Sequence, residues 1–281
     1  MLLSAAAFTA NVLLVRLLGE QGHANIWLVT VTRGLVGLAL IYAVYHREFR
    51  PVRLFTRRKL IERGALGGIG IYLTYLCVVK IGAGRAVFIG NTYVIWGALL
   101  AAWLLHEKLR PSVVVGGLAA LVGIGLLTNV FSGHAAPSLY DGVAVLGALL
   151  SAWVVVTIRQ LHHSEHTATI FGAQCAYGVL ICLGPGLVTY TTLPASAWLL
   201  MGAAGVTAGV GQLTMTRAFR DLPVAEGSLI QMLVPLGTAL GGMLFFGEHF
   251  TPHEVLGAAL ILGGTAYTAV RNATTANAEA E

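Results

Sequence analysis

The chain has 281 residues, 57% of them hydrophobic and 10% charged, with 35 glycines, a net charge of +5 and a mean hydropathy of +0.79. A water-soluble domain carries roughly a quarter charged residues to cover its surface, and a disordered chain is poorer in apolar side chains, so both classes are excluded. The positive excess has too little polar surface to form a nucleic-acid-binding face, and it reads as the topology signal of a chain dissolved in lipid.

A bilayer core about 30 Å thick takes about 20 apolar residues per helix. Ten such stretches are predicted, over residues 2–18, 25–46, 64–82, 86–105, 111–131, 141–159, 167–190, 195–217, 224–246 and 252–271. The runs are continuous and do not alternate with period two, which excludes a membrane barrel. The first has no basic leader and is followed by equivalent spans, so it reads as a spanning helix and not as a cleaved signal. The three cysteines, Cys77, Cys175 and Cys182, fall inside apolar runs without C-x-x-C spacing and read as small core residues.

The basic residues are unevenly divided among the loops. Arg47, Arg50, Arg53, Arg57, Arg58, Lys59 and Arg63 follow the second span, and Lys108, Arg110, Arg159, Arg217, Arg220 and Arg271 fall on the same side; only Lys80 and Arg85 lie opposite. Because Lys and Arg accumulate in cytoplasmic loops, both termini are expected in the cytoplasm.

Shifting the sequence by 141 residues aligns Glu107 with Glu248, Pro111 with Pro252, Gly116 with Gly257 and Gly123 with Gly264, without a gap. Five spans per half is an odd number, so the halves enter the membrane from opposite sides. Such inverted repeats build alternating access around a midplane site. The expected fold is an all-α integral membrane protein of ten transmembrane helices, arranged as two inverted five-helix repeats around a central cavity. The expected segments are residues 1–131 and 141–271 for the repeats, a periplasmic connection at 132–140 and a cytoplasmic tail at 272–281.

The ten-span layout, Arg33 in the second span, and an apolar span ending in Glu-x-x-x-Pro before a Gly-rich one in each half resemble the EamA-type exporters of the drug/metabolite transporter superfamily. Within it the chain is most similar to bacterial amino-acid and metabolite exporters, including the aromatic amino-acid branch. The resemblance implies a bacterial inner-membrane protein whose cavity is lined chiefly by spans 3, 4, 8 and 9, with help from 1 and 6. Spans 5 and 10 would form a supporting pair. One departure is that Pro235 in the penultimate span has Val94 as its counterpart, so the two halves are expected to bend differently.

Polar and aromatic residues at mid-membrane depth are costly in lipid, so they point to a cavity or a partner helix. The candidate lining comprises Tyr72 and Tyr75; Phe88, Asn91, Tyr93 and Trp96; Trp153; Gln212 and Thr216; and Gln231 with Pro235. The neutral amides Asn91 and Gln231 can bind a polar solute without adding charge, and can equally bond a neighbouring helix. Trp103 and Trp198 suit the interfacial belt. Arg33 can meet a substrate carboxylate or act as a structural cation. Lys80 and Arg85 at the outer mouth are repeat equivalents of Asp221 and Glu226 on the inner side, which suggests charge guidance or gating, or simply solvated helix ends. Glu107 and Glu248 read as helix-terminating residues. The pairs Gly64/Gly68, Gly205/Gly209 and Gly237/Gly241, each four residues apart, allow close helix approach.

All nine histidines fall at span ends or in loops, and no H-E-x-x-H, P-loop or G-x-S-x-G motif occurs. No metal, no cofactor and no catalytic residues are therefore expected, and the chain reads as a non-enzyme. The expected function is export of amino acids and related small metabolites by alternating access, with monomer as the default state. Partners are a small-molecule substrate and the bilayer. Multidrug or nucleotide-linked transport on the same fold, and a membrane scaffold or lipid scramblase, stay open as alternatives.

Overall fold

The computed structural model describes residues 1–22, 25–81, 83–128, 130–132, 138–190, 192–247 and 251–278, the side chains of 75, 78, 79, 83, 84, 132 and 272–278 excepted. The helices are α1 (Leu2–Glu20), α2 (Ile26–Tyr45), the short α3 (Arg53–Thr56), α4 (Arg58–Ile81), α5 (Ala83–Asn91), α6 (Tyr93–Leu104) and α7 (Pro111–Leu127). A 3-10 turn at Val130–Ser132 precedes α8 (Leu139–Leu161), α9 (Thr167–Val188), α10 (Ala195–Ala218), α11 (Val224–Gln231), α12 (Leu233–Phe246) and α13 (Pro252–Ala278). No strand occurs among the described residues.

Seven segments of the described chain are long and apolar enough to cross a membrane, with Arg85–Leu104 and Val224–Phe246 each taken as one span. The ten predicted stretches exceed these seven at α4, α7 and α13. α4 opens on Arg58, Lys59, Glu62 and Arg63, α7 has only 17 residues, and α13 continues into polar sequence beyond Arg271.

The chain forms two compact units, one of residues 1–75 and 157–221 and the other of 76–156 and 222–281. α4 and α8 each pass from one to the other. The spatial units and the sequence repeats are thus different partitions of the same chain.

In the first unit α1 packs on α10 and α2 on α9. The face of α10 carries Ala204, Ala208, Gly209 and Gly211, whose small side chains leave backbone carbonyls open to a neighbour. α1 uses two of them: Ser4 Oγ donates to the Gly211 carbonyl at 2.7 Å and Asn11 Nδ2 to that of Ala204 at 2.8 Å. In a dry interface each bond satisfies a polar group that lipid would leave unpaired. α2 starts at Asn25, whose side chain accepts from the backbone N–H groups of Trp27 and Leu28, an N-cap that supplies partners for two otherwise orphaned donors. Gly205 and Gly209 of α10 meet Val36 and Leu40 of α2, and Gly64 and Gly68 of α4 meet Tyr177 and Ile181 of α9, so both glycine pairs are packing surfaces. The three cysteines are free and buried.

The second unit is organised by the crossing of α7 and α13. A Cβ on Gly116 would lie 2.5 Å from the Gly264 carbonyl oxygen, and one on Gly257 would lie 2.6 Å from that of Gly123. Only hydrogen fits at such a crossing. Gly257 is the repeat equivalent of Gly116, and Gly264 of Gly123, so the contact is reciprocal in the way a local two-fold relation requires. In the first unit Gly34 of α2 likewise faces the Cys175 carbonyl, 141 residues further on.

Candidate functional site

The central feature of the second unit is a pair of interrupted helices. α5 ends at Asn91 and α6 resumes at Tyr93; α11 ends at Gln231 and α12 resumes at Leu233. The interrupting residues have nearly the same backbone, φ −60° and ψ −13° at Thr92, φ −65° and ψ −9° at Met232. At each the N–H bonds three residues back instead of four, Thr92 to Ile89 and Met232 to Leu229. The expectation that the halves bend differently, drawn from Pro235 opposite Val94, does not hold at this point.

Two chemistries produce the same break. In the second half Pro235 has no N–H to give to the carbonyl four residues back, and its ring crowds that turn. Proline sits in the first turn of α12, where a missing donor costs least. In the first half side chains compete for the carbonyls: Asn91 Nδ2 donates to Val87 O at 2.8 Å and Thr92 Oγ1 to Ile89 O at 2.6 Å. Val94, Leu229, Met232 and Leu236 share one buried cluster with Phe88 and Tyr93 packed against it, so both breaks rest on the same apolar core.

The other predicted residues of this unit are placed individually. Phe88 meets Phe131 edge-on at 5.7 Å, and Gln231 is buried at the break. Trp96 and Trp153 are each more than a third exposed. Arg85 is held by Asp141: its Nη2 donates to Oδ2 at 2.8 Å and its Nε lies 2.8 Å from Oδ1, an ion pair that the sequence did not suggest. Lys80 Nζ lies 5.7 Å from the centre of the Tyr140 ring. Glu226 lies in the first turn of α11, where its charge suits the helix dipole. Glu107 reaches from the α6–α7 connection so that its Oε2 accepts the Val224 N–H at 2.9 Å, which caps α11. Glu248 lies outside the described residues, as do His23, His134 and His249, most of the 132–140 connection, and the side chain of Tyr75.

In the first unit Tyr72 stacks on Trp27, with ring centres 4.7 Å apart and 17° between planes. Arg33 reaches across from α2 to α10, where its Nη2 donates to Gln212 Oε1 at 3.4 Å, and its guanidinium lies 5.9 Å from the Phe8 ring. Gln212 and Thr216 are both buried. Arg63, counted above as a loop charge, is 1% exposed inside α4. Its Nη2 donates to Gln174 Oε1 of α9 at 2.7 Å, while its Nε and Nη1 have no partner. The missed signal was spacing: Gly64 and Gly68 place this side of α4 against α9, and Gly67, one turn from Arg63, leaves space for the guanidinium.

At one end of this unit Tyr45, His162, Glu165, His166, Thr167, Arg217 and Arg220 line a pocket of about 350 Å³. Glu165 is buried there and held by Arg53 at 3.1 Å and Arg57 at 3.9 Å. His162 Nε2 bonds the Thr216 carbonyl at 2.7 Å. Burial pushes the His162 imidazole below its ordinary value; the Thr216 carbonyl opposes this, and nearby Arg220 adds to the lowering. Asp221 is exposed and hydrogen-bonded to Arg220 at 3.0 Å, which holds its carboxyl below the usual range. No cluster of three metal-ligating side chains occurs among the described residues.

Comparison with known proteins bears on both halves. Residues 1–129 and 138–270 each match the EamA-like transporter family. The pseudopaline exporter CntI of Pseudomonas aeruginosa is 25% identical over 232 residues, covering 82% of this chain and 81% of that protein. An uncharacterized transporter of Helicobacter pylori is 25% identical over 252 residues, 85% of this chain and 82% of the other. A crystal structure 20% identical in sequence superposes with a TM-score of 0.76 over 95% of this chain and 97% of its own, which shows the shared fold.

Proposed function

We propose, from the premise that this chain belongs to the EamA-like transporter family, that it is a secondary exporter of amino acids and related small metabolites. It is a multi-pass membrane transporter; the finer reading is ten spans in two inverted repeats, 1–131 and 141–271, in a bacterial inner membrane with both termini cytoplasmic. The basic residues support that orientation. The reciprocal glycine contacts of α7 and α13 support the repeat relation.

The observation that carries the reading is the pair of interrupted helices within one residue of repeat-equivalent places, each with an amide side chain on the last residue before its break. Interrupted spans at corresponding places in two halves mark where transporters bind solute, because a helix end leaves backbone groups and side chains open to a ligand. Within the second unit Asn91 and Gln231 would meet a polar group of the solute and Phe88, Tyr93 and Trp96 its apolar part, with Trp153 and Pro235 as further lining; Tyr72, Tyr75, Gln212 and Thr216 are the candidate lining residues of the first unit. Lys80, Arg85, Asp221 and Glu226 would act at its mouths. CntI, named as a pseudopaline exporter, supports export as the direction of transport.

The test is flux of labelled amino acids in proteoliposomes of the full chain, comparing wild type with Trp96→Ala and Asn91→Ala. Wild type is expected to carry members of a broad panel and both variants to carry less. Flux no higher than in empty liposomes for every amino acid overturns the substrate assignment.

A further inference from the structure

Among the described residues of the first unit, two arginines lie away from solvent with no carboxylate beside them. Arg33 on α2 is half-buried and Arg63 on α4 fully so. Both lie beside glycines that pack on the same stretch of α9: a Cβ on Gly34, next to Arg33, would lie 2.9 Å from the Cys175 carbonyl oxygen, and one on Gly64, next to Arg63, 2.7 Å from that of Ala173. Their polar partners are the neutral amides Gln212 and Gln174. Among the described residues no carboxylate stands within ion-pair distance of either, whereas Arg53, Arg57, Arg58, Arg85 and Arg220 each have one. Two of the three guanidinium nitrogens of Arg63 are sealed from solvent with no acceptor.

Burying a cation without a counter-charge is among the most costly arrangements a fold can contain, and one tolerated where function needs it. We propose that Arg33 and Arg63 together recognise the carboxylate of the transported solute, with Arg63 as the residue that selects acids over their uncharged analogues. This rests on the transporter reading above. The planar guanidinium offers parallel N–H groups that match the two oxygens of a carboxylate. Gln174 assists: its amide oxygen accepts from Arg63, and turned over the amide would donate its own N–H to a carboxylate. Gly67 keeps the position open, because a Cβ there would lie 2.5 Å from Arg63 Nη1. The half-buried Arg33 meets the anion first, and Arg63 supplies the second guanidinium. Solutes with a carboxylate are therefore the substrate class, and neutral or purely cationic drugs are excluded.

The experiment measures thermal unfolding of the full chain with L-phenylalanine, L-histidine or L-leucine, each beside its C-terminal amide, for wild type, Arg63→Met, Arg63→Lys and Arg33→Gln. Alongside it the proteoliposome flux is repeated with the amides as competitors. Acids are expected to raise the wild-type Tm and to compete for flux, while the amides do neither. Arg63→Met is expected to unfold about 2 °C or more above wild type without solute, since a stranded cation is gone, and to lose the protection and about tenfold or more of the flux. Arg63→Lys keeps part of both. Amides as protective as acids, protection retained in Arg63→Met, or a ligand-free Tm of Arg63→Met below wild type overturns this inference and leaves transport standing. Absence of flux for every amino acid overturns the substrate assignment as well.

Discussion

The crossing of α7 and α13 makes a quantitative demand on Gly257. A methyl group there would sit 2.6 Å from the Gly123 carbonyl oxygen, 2.8 Å from the Leu127 nitrogen and 3.1 Å from Leu126 Cβ. Ordinary contact begins near 3.4 Å, so the helices must separate by about 0.8 Å. Two of the three obstructing atoms are backbone, and no rotamer change relieves them. Gly263 on the same helix has nothing within 4 Å of its Cβ position. Gly→Ala gains about 1 kcal/mol of helix propensity at either site, and the gain cancels when the two variants are compared. What remains is the cost of overpacking, about 1–3 kcal/mol. At about 2 °C per kcal/mol for a chain of this size, Gly257→Ala should unfold about 2–6 °C below Gly263→Ala. The three buried free cysteines make a thiol-reactive dye a direct reporter of unfolding in detergent. Equal midpoints, or a higher one for Gly257→Ala, would refute the argument from close approach. Gly123→Ala should behave like Gly257→Ala, because its Cβ would lie 2.6 Å from the Gly257 carbonyl oxygen.

Two further outcomes are expected. Glu107→Ala removes the acceptor for the Val224 N–H and should cost about 1 kcal/mol, whereas Glu107→Gln keeps an oxygen there and should recover most of it; a glutamine variant as unstable as the alanine one would show that the cap is not the reason. The His162 imidazole has its pKa lowered below 6.5, chiefly by burial, so the unfolded chain takes up its proton at a higher pH than the native one. Its contribution to stability is complete above about 6.5 and is lost as pH falls from there through the native value. In a Tm series from pH 7.5 to about 5, His162→Gln, which can still donate to Thr216, should lose less stability than wild type; parallel curves would remove His162 from the acid response.

Some of this protein is legible residue by residue. Partition into lipid is a local sum: each apolar run carries its own transfer free energy, and the scarce Lys and Arg report sidedness wherever the chain later folds. Glycines recurring every fourth residue announce a packing face in the same local way, and the 141-residue shift exposes equivalent positions before any contact is known. Phe88, Asn91 and Tyr93 were legible as polar and aromatic residues out of place in lipid, and Gln231 with Pro235 marked a break in the penultimate span.

The tertiary structure decided the matters that depend on a partner far along the chain. Val94 in place of Pro235 suggested unequal bending, because proline is the breaker visible in a sequence; carbonyl capture by Asn91 and Thr92 makes the same break and shows only in the geometry. Arg85 became half of an ion pair through Asp141, 56 residues away. Arg63, one charge among seven in a basic stretch, became a sealed cation once α4 packed its glycine face on α9, 111 residues from Arg63 to Gln174. A sequence lists charges equally, but desolvation and pairing depend on distance in space, and those two terms separate a topology signal from a residue that recognises a ligand.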